Sequence, residues 1–239
     1  MNWENLSLDT VQKDKNRLRN ELSASVTNLR QAGKVAQQLR SCPSYRRAER
    51  IFVSPAKDLK QIRINCLVDG KELIMPGPAL KDGLYGFQPY FVNFTDLEYA
   101  VTFNGLKKYG KLLDLSKTLP VDLFLTDGFA LSCEGSRLGD GNGFFDLAFA
   151  VLAWSYPGNA DSKVGMVCNE EQVISMPIST APWDVDADFY ISSEGQRDLI
   201  PAKGRSRSER EAGPIFWQHL SYQRIKKVSP LWKIWKNRS

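Results

Sequence analysis

Short apolar runs that alternate with helical segments restrict the fold of this chain more than any other feature. Five runs have the length and composition of buried strands, at residues 50–54, 72–75, 121–126, 163–168 and 185–191. Residues 57–68, between the first two runs, have the pattern of a helix that ends at Asp69-Gly70. A strand, a helix and a second strand in this order favour a parallel crossover. The sequence therefore predicts an open α/β sheet of at least these five strands, which the last run closes and which helices cover on both faces.

An amphipathic helix is predicted before the sheet, over residues 10–40 with an interruption near Gly33. Within it, Lys15 and Arg19 are four residues apart and therefore lie on one face, one turn above the other. Two cations on one face can clamp a polyphosphate. A solvated basic face is the simpler interpretation of the same spacing, and the residues alone leave both alternatives open.

A glycine-rich stretch, Arg137-Leu-Gly-Asp-Gly-Asn-Gly-Phe-Phe-Asp146, contains the strongest candidate site. Glycine at every second position lets the backbone bend tightly and turn its N–H groups toward an anion. The stretch is expected to join strand 121–126 directly to a buried helix over residues 144–154, whose N-terminus favours negative charge. In α/β sheets, ligands bind beyond the carboxyl ends of the strands, where this loop is expected. Phosphate binding and an ordinary glycine-rich turn are the two interpretations.

The few histidine and cysteine residues argue against several kinds of catalytic and metal site. His219 is the only histidine among 239 residues, which argues against Ser-His-Asp or Cys-His catalysis and against histidine-rich metal sites. The cysteines show no Cys-x-x-Cys pair and are expected to be reduced, mostly buried thiols: Cys42, Cys66, Cys133 and Cys168. No apolar run reaches about 18 residues, and no basic-then-apolar leader is present. A soluble, cytoplasmic protein without a membrane span is therefore expected.

Aromatic residues are concentrated between residues 79 and 120. They are eight in number: Tyr85, Phe87, Tyr90, Phe91, Phe94, Tyr99, Phe103 and Tyr109. They could line a pocket for a flat ring, but packing against the sheet is the simpler interpretation for most of them.

The composition changes at residue 201. From there to the C-terminus, ten Lys and Arg residues face two Glu residues, a net charge of +8, whereas the whole chain carries +5 and residues 1–200 therefore about −3. This predicts an α/β domain over residues 1–200 and a basic, tryptophan-containing extension over residues 201–239. The extension could bind nucleic acid or a membrane surface. Alternatively, Trp217, Trp232 and Trp235 pack back on the domain.

Four of these segments together resemble the 5-formyltetrahydrofolate cyclo-ligase family, also called methenyltetrahydrofolate synthetases. They are Lys15-x-x-x-Arg19, Phe52-Val-Ser54, Glu72-Leu-Ile-Met-Pro76 and the stretch from Arg137 to Asp146. The resemblance covers about residues 13–200 and looks closer to the diverged methenyltetrahydrofolate synthetase domain-containing branch. It implies a three-layer α/β/α sandwich with a mostly parallel sheet, of the type also found in sugar-phosphate isomerases and CoA transferases, with ATP and magnesium as co-substrates.

The resemblance also implies roles for individual residues. Lys15, Arg19 and Arg137 would hold ATP phosphates together with the amides of Gly139, Gly141 and Gly143. Arg137 and Asp146 would be the catalytic residues, with Asp146 also holding magnesium, and Phe144 or Phe145 would contact the pteridine of the folate. ATP would phosphorylate the formyl oxygen of 5-formyltetrahydrofolate, and the N10 amine would then close the ring. Such chemistry needs positioning and charge neutralisation rather than a histidine.

The glycine stretch departs from the family pattern. Asp140 and Asn142 stand where the family usually has basic residues, and a carboxylate facing the phosphates would weaken ATP binding by Coulomb repulsion. The alternative function is therefore a catalytically altered or inactive homologue that binds a folate, a nucleotide or a macromolecular partner. A sugar-phosphate isomerase or acyl-CoA enzyme is disfavoured, since fold alone does not give function and no motif marks a glutamate as an acyl-carrying nucleophile.

Overall fold

The structure is a computed structural model that describes residues 7–22, 29–117, 120–156, 162–200 and 215–237. Its strands are β1 (Arg50–Val53), β2 (Glu72–Pro76), β3 (Leu84–Phe87), β4 (Lys111–Leu112), β5 (Leu123–Thr126), β6 (Ala130–Ser132), β7 (Arg137–Leu138), β8 (Lys163–Val167), β9 (Val173–Ile174), β10 (Phe189–Ser192) and β11 (Gly195–Asp198). Its α-helices are α1 (Leu8–Leu22), α2 (Ala32–Ser41), α3 (Pro43–Arg47), α4 (Lys60–Val68), α5 (Leu97–Ala100), α6 (Leu106–Tyr109), α7 (Phe144–Ser155), α8 (Tyr222–Lys227) and α9 (Ser229–Lys236).

The main sheet has eight strands in the order β11-β10-β8-β5-β1-β2-β3-β4. The five strands from β10 to β2 pair in parallel, and the strands outside them pair antiparallel. The parallel pairing of β1 with β2 confirms the predicted crossover. From β1 the chain continues to β2 on one side and later to β5 on the other, so the strand order reverses at this point. Such a reversal is where open α/β sheets bind ligands.

Successive side chains of the central strands point to opposite faces of the sheet and form an apolar layer on each face. Phe52 and Phe124 point to a face that is covered by α7, α8 and α9, which we call the α7 face. Their neighbours Ile51 and Leu123 point to the opposite face, which is covered by α2 and α4 and which we call the α4 face. Successive side chains of a strand point to opposite faces, so a sheet buried on both sides needs an apolar residue at every position. The predicted three-layer α/β/α sandwich with a mostly parallel sheet is confirmed.

The predicted helix over residues 10–40 is two helices, α1 and α2. The predicted interruption near Gly33 is confirmed: Gln31, with a left-handed φ of 53°, precedes α2, and Gly33 lies in the first turn of that helix. Residues 23–28 lie outside the described part of the chain.

The strand predicted over residues 185–191 begins only at Phe189 and does not close the sheet, because β11 pairs with β10 on its outer side. The backbone N–H groups of Val185 and Ala187 are used elsewhere. They donate to Asp146 Oδ1 at 2.9 Å and to the Gly135 carbonyl at 2.8 Å. Residues 185–187 therefore bond to Asp146 and to Gly135 and are not part of the sheet.

The prediction that strand 121–126 leads directly into the glycine stretch is also wrong. Strand β6 lies between them, and Arg137 and Leu138 themselves form β7. Both belong to a second sheet of three strands, in the order β7-β6-β9. The β6–β7 turn contains Gly135 at a φ of 93°, where a Cβ would lie 2.4 Å from the Ala187 carbonyl oxygen. Strands of two or three residues are too short to show a period-two pattern in the sequence.

The C-terminal segment, residues 215–237, packs on the α7 face. Its buried apolar residues are Ile215, Ile225, Val228, Leu231 and Ile234. Trp217 and Trp232 are partly buried against the same face, and the Trp217 and Trp235 rings lie 5.4 Å apart. These contacts favour packing for the three tryptophans. The basic residues between 203 and 210 lie outside the described residues, and the division of the chain at residue 200 stays a prediction.

All four cysteines are free thiols, three of them buried and Cys133 exposed, as expected. Burial raises the pKa of both Cys66 and Cys168 to about 12, so neither is a reactive thiolate at neutral pH. The cytoplasmic location stays a prediction. Among the helices described, none combines the length and the apolar character that crossing a bilayer requires.

Six of the eight aromatic residues between 79 and 120 fall into three groups, and the other two, Tyr99 and Tyr109, are half exposed and partly buried, respectively. Tyr85 and Phe87 are buried in the core of the α4 face. Phe103 lines the cavity described below. The most exposed ones lie on the surface: Tyr90, Phe91 and Phe94, each at least 80% exposed. Packing therefore explains only some of these residues.

Candidate active site

A cavity of about 570 Å³ opens at the carboxyl ends of β1, β2 and β5, where the strand order reverses. Every site residue predicted from the sequence lines it: Lys15, Arg19, Arg137, Gly139, Gly141, Gly143, Phe144, Phe145 and Asp146. The fold thus brings the basic face of α1 to the glycine stretch, although more than a hundred residues separate them in sequence. Their individual functions stay predictions.

The glycine loop, residues 139–143, has the backbone geometry that only glycine adopts easily. Gly141 and Gly143 have φ values of 91° and 63°, and Gly143 is the residue that precedes the first turn of α7. A Cβ at residue 141 would lie 3.2 Å from the Arg19 guanidinium carbon. The absence of side chains therefore lets Arg19 lie directly against the loop, at the positive end of a helix.

Arg19 connects α1 to this loop. Its Nε donates to the Gly139 carbonyl at 2.8 Å, and its Nη1 donates to Asn16 Oδ1 at 2.7 Å. Burial lowers the pKa of Arg19, while the charges of Asp140 and Asp184 raise it. Because an arginine stays protonated at any physiological pH, the site keeps this positive charge.

Lys15 is buried one turn before Arg19, with 7% of its surface exposed. Its ammonium donates to the carboxylate of Asp184, which also accepts the Ala181 N–H at 2.5 Å. Lys15 therefore already has a carboxylate partner, and its charge is partly neutralised before any ligand binds. Asp184 was not predicted from the sequence as a member of the site.

Arg137 and Asp146 form a buried ion pair. Arg137 Nη2 donates to Asp146 Oδ1 at 2.7 Å, and Arg137 Nε donates to the Val185 carbonyl at 2.7 Å. The guanidinium also lies over the Phe145 ring, 4.4 Å from its centroid. Three contacts in different directions leave Arg137 little rotational freedom. Among the described residues, the hydrogen bonds of Asp146 use Oδ1, which leaves Oδ2 as the atom that could face a cation.

The two phenylalanines differ in their contacts. The Phe145 ring lies 5.8 Å from Phe52 and 6.5 Å from Phe124, so it forms the wall between cavity and core. Phe144 lies at the rim, beneath the guanidinium of Arg224 at 5.7 Å. Only Phe144 is thus placed at the outer part of the cavity, and both are partly buried.

Asp140 turns back on its own loop. Its Oδ1 accepts the Asn142 backbone N–H at 2.9 Å, and its Oδ2 accepts the Asn142 side-chain amide at 2.7 Å. Two donors partly satisfy the carboxylate, but its negative charge remains at the cavity wall.

The polar strand ends are functional candidates that the sequence analysis missed. Ser54 directly follows β1, and Thr126 is the last residue of the adjacent strand β5. Their hydroxyl oxygens lie 2.9 Å apart, and both residues line the cavity. Asp127 comes next, and solvent reaches it through the cavity although protein atoms enclose it on other sides. Desolvation by the surrounding protein atoms raises the pKa of Asp127, the charge of Asp140 adds to the effect, and Arg137 opposes it. A polar residue directly after a buried strand was the signal that could have identified them.

The carboxylates near the cavity do not form a ready-made metal cage. Within the described residues, no group of three or more His, Cys, Asp or Glu side chains could hold an ion. Magnesium in phosphate-transfer sites usually keeps several waters and binds through one or two carboxylates and the phosphates of the substrate. The residues present fit that mode of binding, with Asp146 Oδ2 as the candidate protein ligand.

Comparison with known proteins gives a consistent result. The model of a family described as the 5-formyltetrahydrofolate cyclo-ligase family matches residues 10–192. The human methenyltetrahydrofolate synthase domain-containing protein is 25% identical over 206 residues, which are 85% of this chain and 52% of the human protein. The chain spans about half the length of the curated relatives it matches. These matches confirm the resemblance, including its diverged branch, and none of them supports the nucleic-acid role considered for the C-terminal extension.

Two solved structures share the fold. The first is the NMR structure of Aquifex aeolicus 5,10-methenyltetrahydrofolate synthetase, with a TM-score of 0.53 and 21% identity over 80% of this chain and 96% of that one. The second is a 5,10-methenyltetrahydrofolate synthetase from Mycoplasma pneumoniae, with a TM-score of 0.50 and 14% identity over 75% of this chain and 99% of that one. At these identities the likeness shows the fold alone.

Proposed function

Because this chain belongs to the 5-formyltetrahydrofolate cyclo-ligase family, we propose that it closes the 5,10-methenyl ring of 5-formyltetrahydrofolate with ATP and magnesium. One observation carries the proposal. The buried Arg137–Asp146 pair, the glycine loop and the cations of α1 line one cavity of about 570 Å³ at the strand-order reversal.

The cavity residues suit a polyphosphate. Arg137 and Arg19 present guanidinium N–H groups at the two ends of the glycine loop, and the loop leads into the N-terminus of α7. Fixed cations and backbone amides stabilise phosphate charge most effectively when they need not reorganise. In the proposed reaction the formyl oxygen takes the γ-phosphoryl group of ATP and ADP leaves. The N10 nitrogen then bonds to the formyl carbon as inorganic phosphate departs.

No protein nucleophile is required for these steps, because the substrate supplies the attacking nitrogen. This agrees with the described lining of the cavity, which does not include His219, although the ring of His219 lies 4.8 Å from that of the lining residue Trp183. Asp146 Oδ2 would hold magnesium, which when bound would neutralise phosphate charge. Phe144 at the rim, or Phe145 in the wall, would contact the pteridine.

Two observations favour a second function. Asp140 keeps a negative charge at the cavity wall, and Lys15 is already paired with Asp184. Both features reduce the positive potential available to a nucleotide. A homologue that binds folate, nucleotide or a macromolecular partner without turnover is the alternative.

A spectroscopic assay separates the two functions. Purified protein is mixed with 5-formyltetrahydrofolate, ATP and magnesium, and the methenyltetrahydrofolate chromophore is followed while each component is omitted in turn. Turnover is expected to need all three components and to be lost in Asp146→Asn, which keeps an acceptor oxygen but removes the charge. Asp198→Asn, at the exposed end of β11, is the matched control and should retain full activity. A folded protein without turnover would overturn the proposed reaction.

A further inference from the structure

We propose that Arg224, on α8 of the C-terminal segment, is a phosphate-binding residue of this site. It would complete, with Arg19, a pair of guanidinium groups that hold the glycine loop from two sides. The inference rests on the proposed nucleotide-binding function and extends it to a part of the chain beyond the family match, which ends at residue 192.

Arg224 lies directly at the end of the glycine loop. Its Nη2 donates to the backbone carbonyl of Asn142, and its guanidinium lies 5.7 Å from the centroid of the Phe144 ring. A Cβ built on Gly143 would be 3.9 Å from the same Nη2. The guanidinium is therefore beside the residues that precede the first turn of α7.

The position of Arg224 is set by an anchored helix. Its backbone N–H donates to the Ser221 hydroxyl at 3.2 Å, which caps α8. The next residue, Ile225, is 2% exposed and packs in the core of the α7 face. A half-buried side chain on a fixed helix loses less entropy on binding a ligand than a free one.

The two arginines contact the loop in the same way. Arg19, from the N-terminal helix, donates to the carbonyl of Gly139, and Arg224 donates to the carbonyl of Asn142. Bonding these carbonyls reduces the negative potential at the loop, and the remaining N–H groups of each guanidinium can bind a phosphate.

Arg224 also offsets the charge of Asp140. Within the described part of the chain, Arg224 forms no ion pair with a carboxylate, in contrast to Lys15 and Arg137. An arginine without a carboxylate partner, next to backbone amides at a helix N-terminus, is suited to a phosphate oxygen. It supplies from the C-terminal segment a positive charge that residues 140 and 142 do not provide.

A second contact links the same segment to the cavity. The His219 ring lies 4.8 Å from the ring of Trp183, which lines the cavity. The segment thus meets the rim at two points, Trp183 and Asn142, and its placement at the site does not depend on Arg224 alone.

The test compares three variants with the wild-type chain: Arg224→Gln, Arg224→Lys and Lys227→Ala. Glutamine keeps a donor for the Asn142 carbonyl but has no positive charge. Lysine keeps the positive charge but lacks the planar guanidinium group. Lys227, exposed on the same helix, is the matched control for net charge. Binding of ATP with magnesium is measured by calorimetry at several salt concentrations, and thermal unfolding verifies that each variant is folded.

We expect Arg224→Gln to weaken ATP binding about tenfold and to make it less dependent on salt, because one charged contact is lost. Arg224→Lys should recover part of the affinity, and Lys227→Ala should bind like wild type. In a steady-state assay, the KM for ATP should rise while the KM for the folate stays constant. A merely structural role would change neither the salt dependence nor the two KM values selectively.

The outcomes distinguish this proposal from the reaction itself. If ATP binding depended on Arg224 but the protein showed no turnover, the phosphate-binding role of Arg224 would be supported and the proposed cyclo-ligase reaction overturned. If a folded Arg224→Gln variant turned over substrate and bound ATP as tightly as wild type, the phosphate-binding role of Arg224 would be overturned and the reaction supported. A wild-type chain that binds no ATP would overturn both.

Discussion

Two buried arginines, one on each side of the sheet, have nearly the same exposure and different surroundings. Arg63, on α4, is 3% exposed and donates to the carbonyls of Ser54, Ala56 and Val101 at 2.7, 2.8 and 3.1 Å. Arg137 is 7% exposed, donates to Asp146 and lines the cavity. Burial alone therefore does not identify a site residue.

The two arginines differ in the groups that accept their hydrogen bonds. The three carbonyls around Arg63 belong to the backbone that follows β1 and α5, so the guanidinium joins two loops behind the cavity wall. Desolvation lowers the pKa of Arg63 to about 10, and Asp127 is the largest opposing charge. Arg137 instead has a carboxylate partner and a face toward the cavity. Arg63 therefore holds the backbone behind the cavity wall, whereas Arg137 lines the cavity itself.

The largest effect is expected at Arg137. Arg137→Met should reduce turnover by about 100- to 1000-fold, as when one preorganised donor is removed from a transition-state site. The same substitution at exposed Arg30, which pairs with Glu171 away from the cavity, serves as the control. Initial rates at saturating substrate measure the effect, and a loss below tenfold would contradict the assignment of Arg137 to the reaction.

The second prediction concerns stability. Arg63→Met should lower the free energy of unfolding by about 3 kcal/mol, because three buried carbonyls lose their donor. Urea denaturation followed by circular dichroism measures it, with Arg30→Met changing by less than about 0.5 kcal/mol. The KM for ATP of the folded variant should stay within about twofold of wild type. If Arg63→Met unfolded with the same free energy as wild type, the structural role that separates Arg63 from Arg137 would be wrong.

A smaller effect is expected for the carboxylate of the glycine loop, Asp140, whose charge acts on Arg19. Asp140→Asn should tighten ATP binding by about fivefold, since removal of an exposed charge near phosphates changes the free energy by roughly 1 kcal/mol. Its acceptor oxygen can still bond Asn142, so the loop should keep its conformation. Calorimetry at low and high salt measures the change. Equal affinity at low salt would place the phosphates away from residue 140.

The smallest effect concerns Asp127, which interacts electrostatically with both arginines. Its pKa is raised above the ordinary 3.8, mainly by desolvation, so the folded state disfavours the ionised form. Asp127→Asn should therefore stabilise the fold at neutral pH, by less than about 1 kcal/mol because solvent still reaches the carboxylate.

The gain should disappear as the pH falls below about 3.8, where the carboxylate is protonated in both states and the variant has no advantage. Unfolding free energies of wild type and variant between pH 3 and pH 8 would measure it. A variant that is less stable at neutral pH would mean that attraction to Arg63 and Arg137 exceeds the desolvation.

Much of the fold could be predicted because its signals are local. Strands β1, β2, β5 and β8 were identified within two residues, since each is a short apolar run buried on both faces. The start of α7 at Phe144 was also correct, because glycine and the following apolar residues define it locally. The strands β6 and β7 were not predicted, because two or three residues contain no period.

The sequence by itself determined the sandwich, the glycine loop and the cations of α1, because strand alternation, positive φ and helical spacing are properties of neighbouring residues. Only the tertiary structure decided which groups meet at the cavity. The pairing of Lys15 with Asp184 and the contact of Arg224 with Asn142 join residues separated by 169 and 82 positions. No local pattern encodes such distances, since they depend on how α1 and the C-terminal segment pack on the sheet.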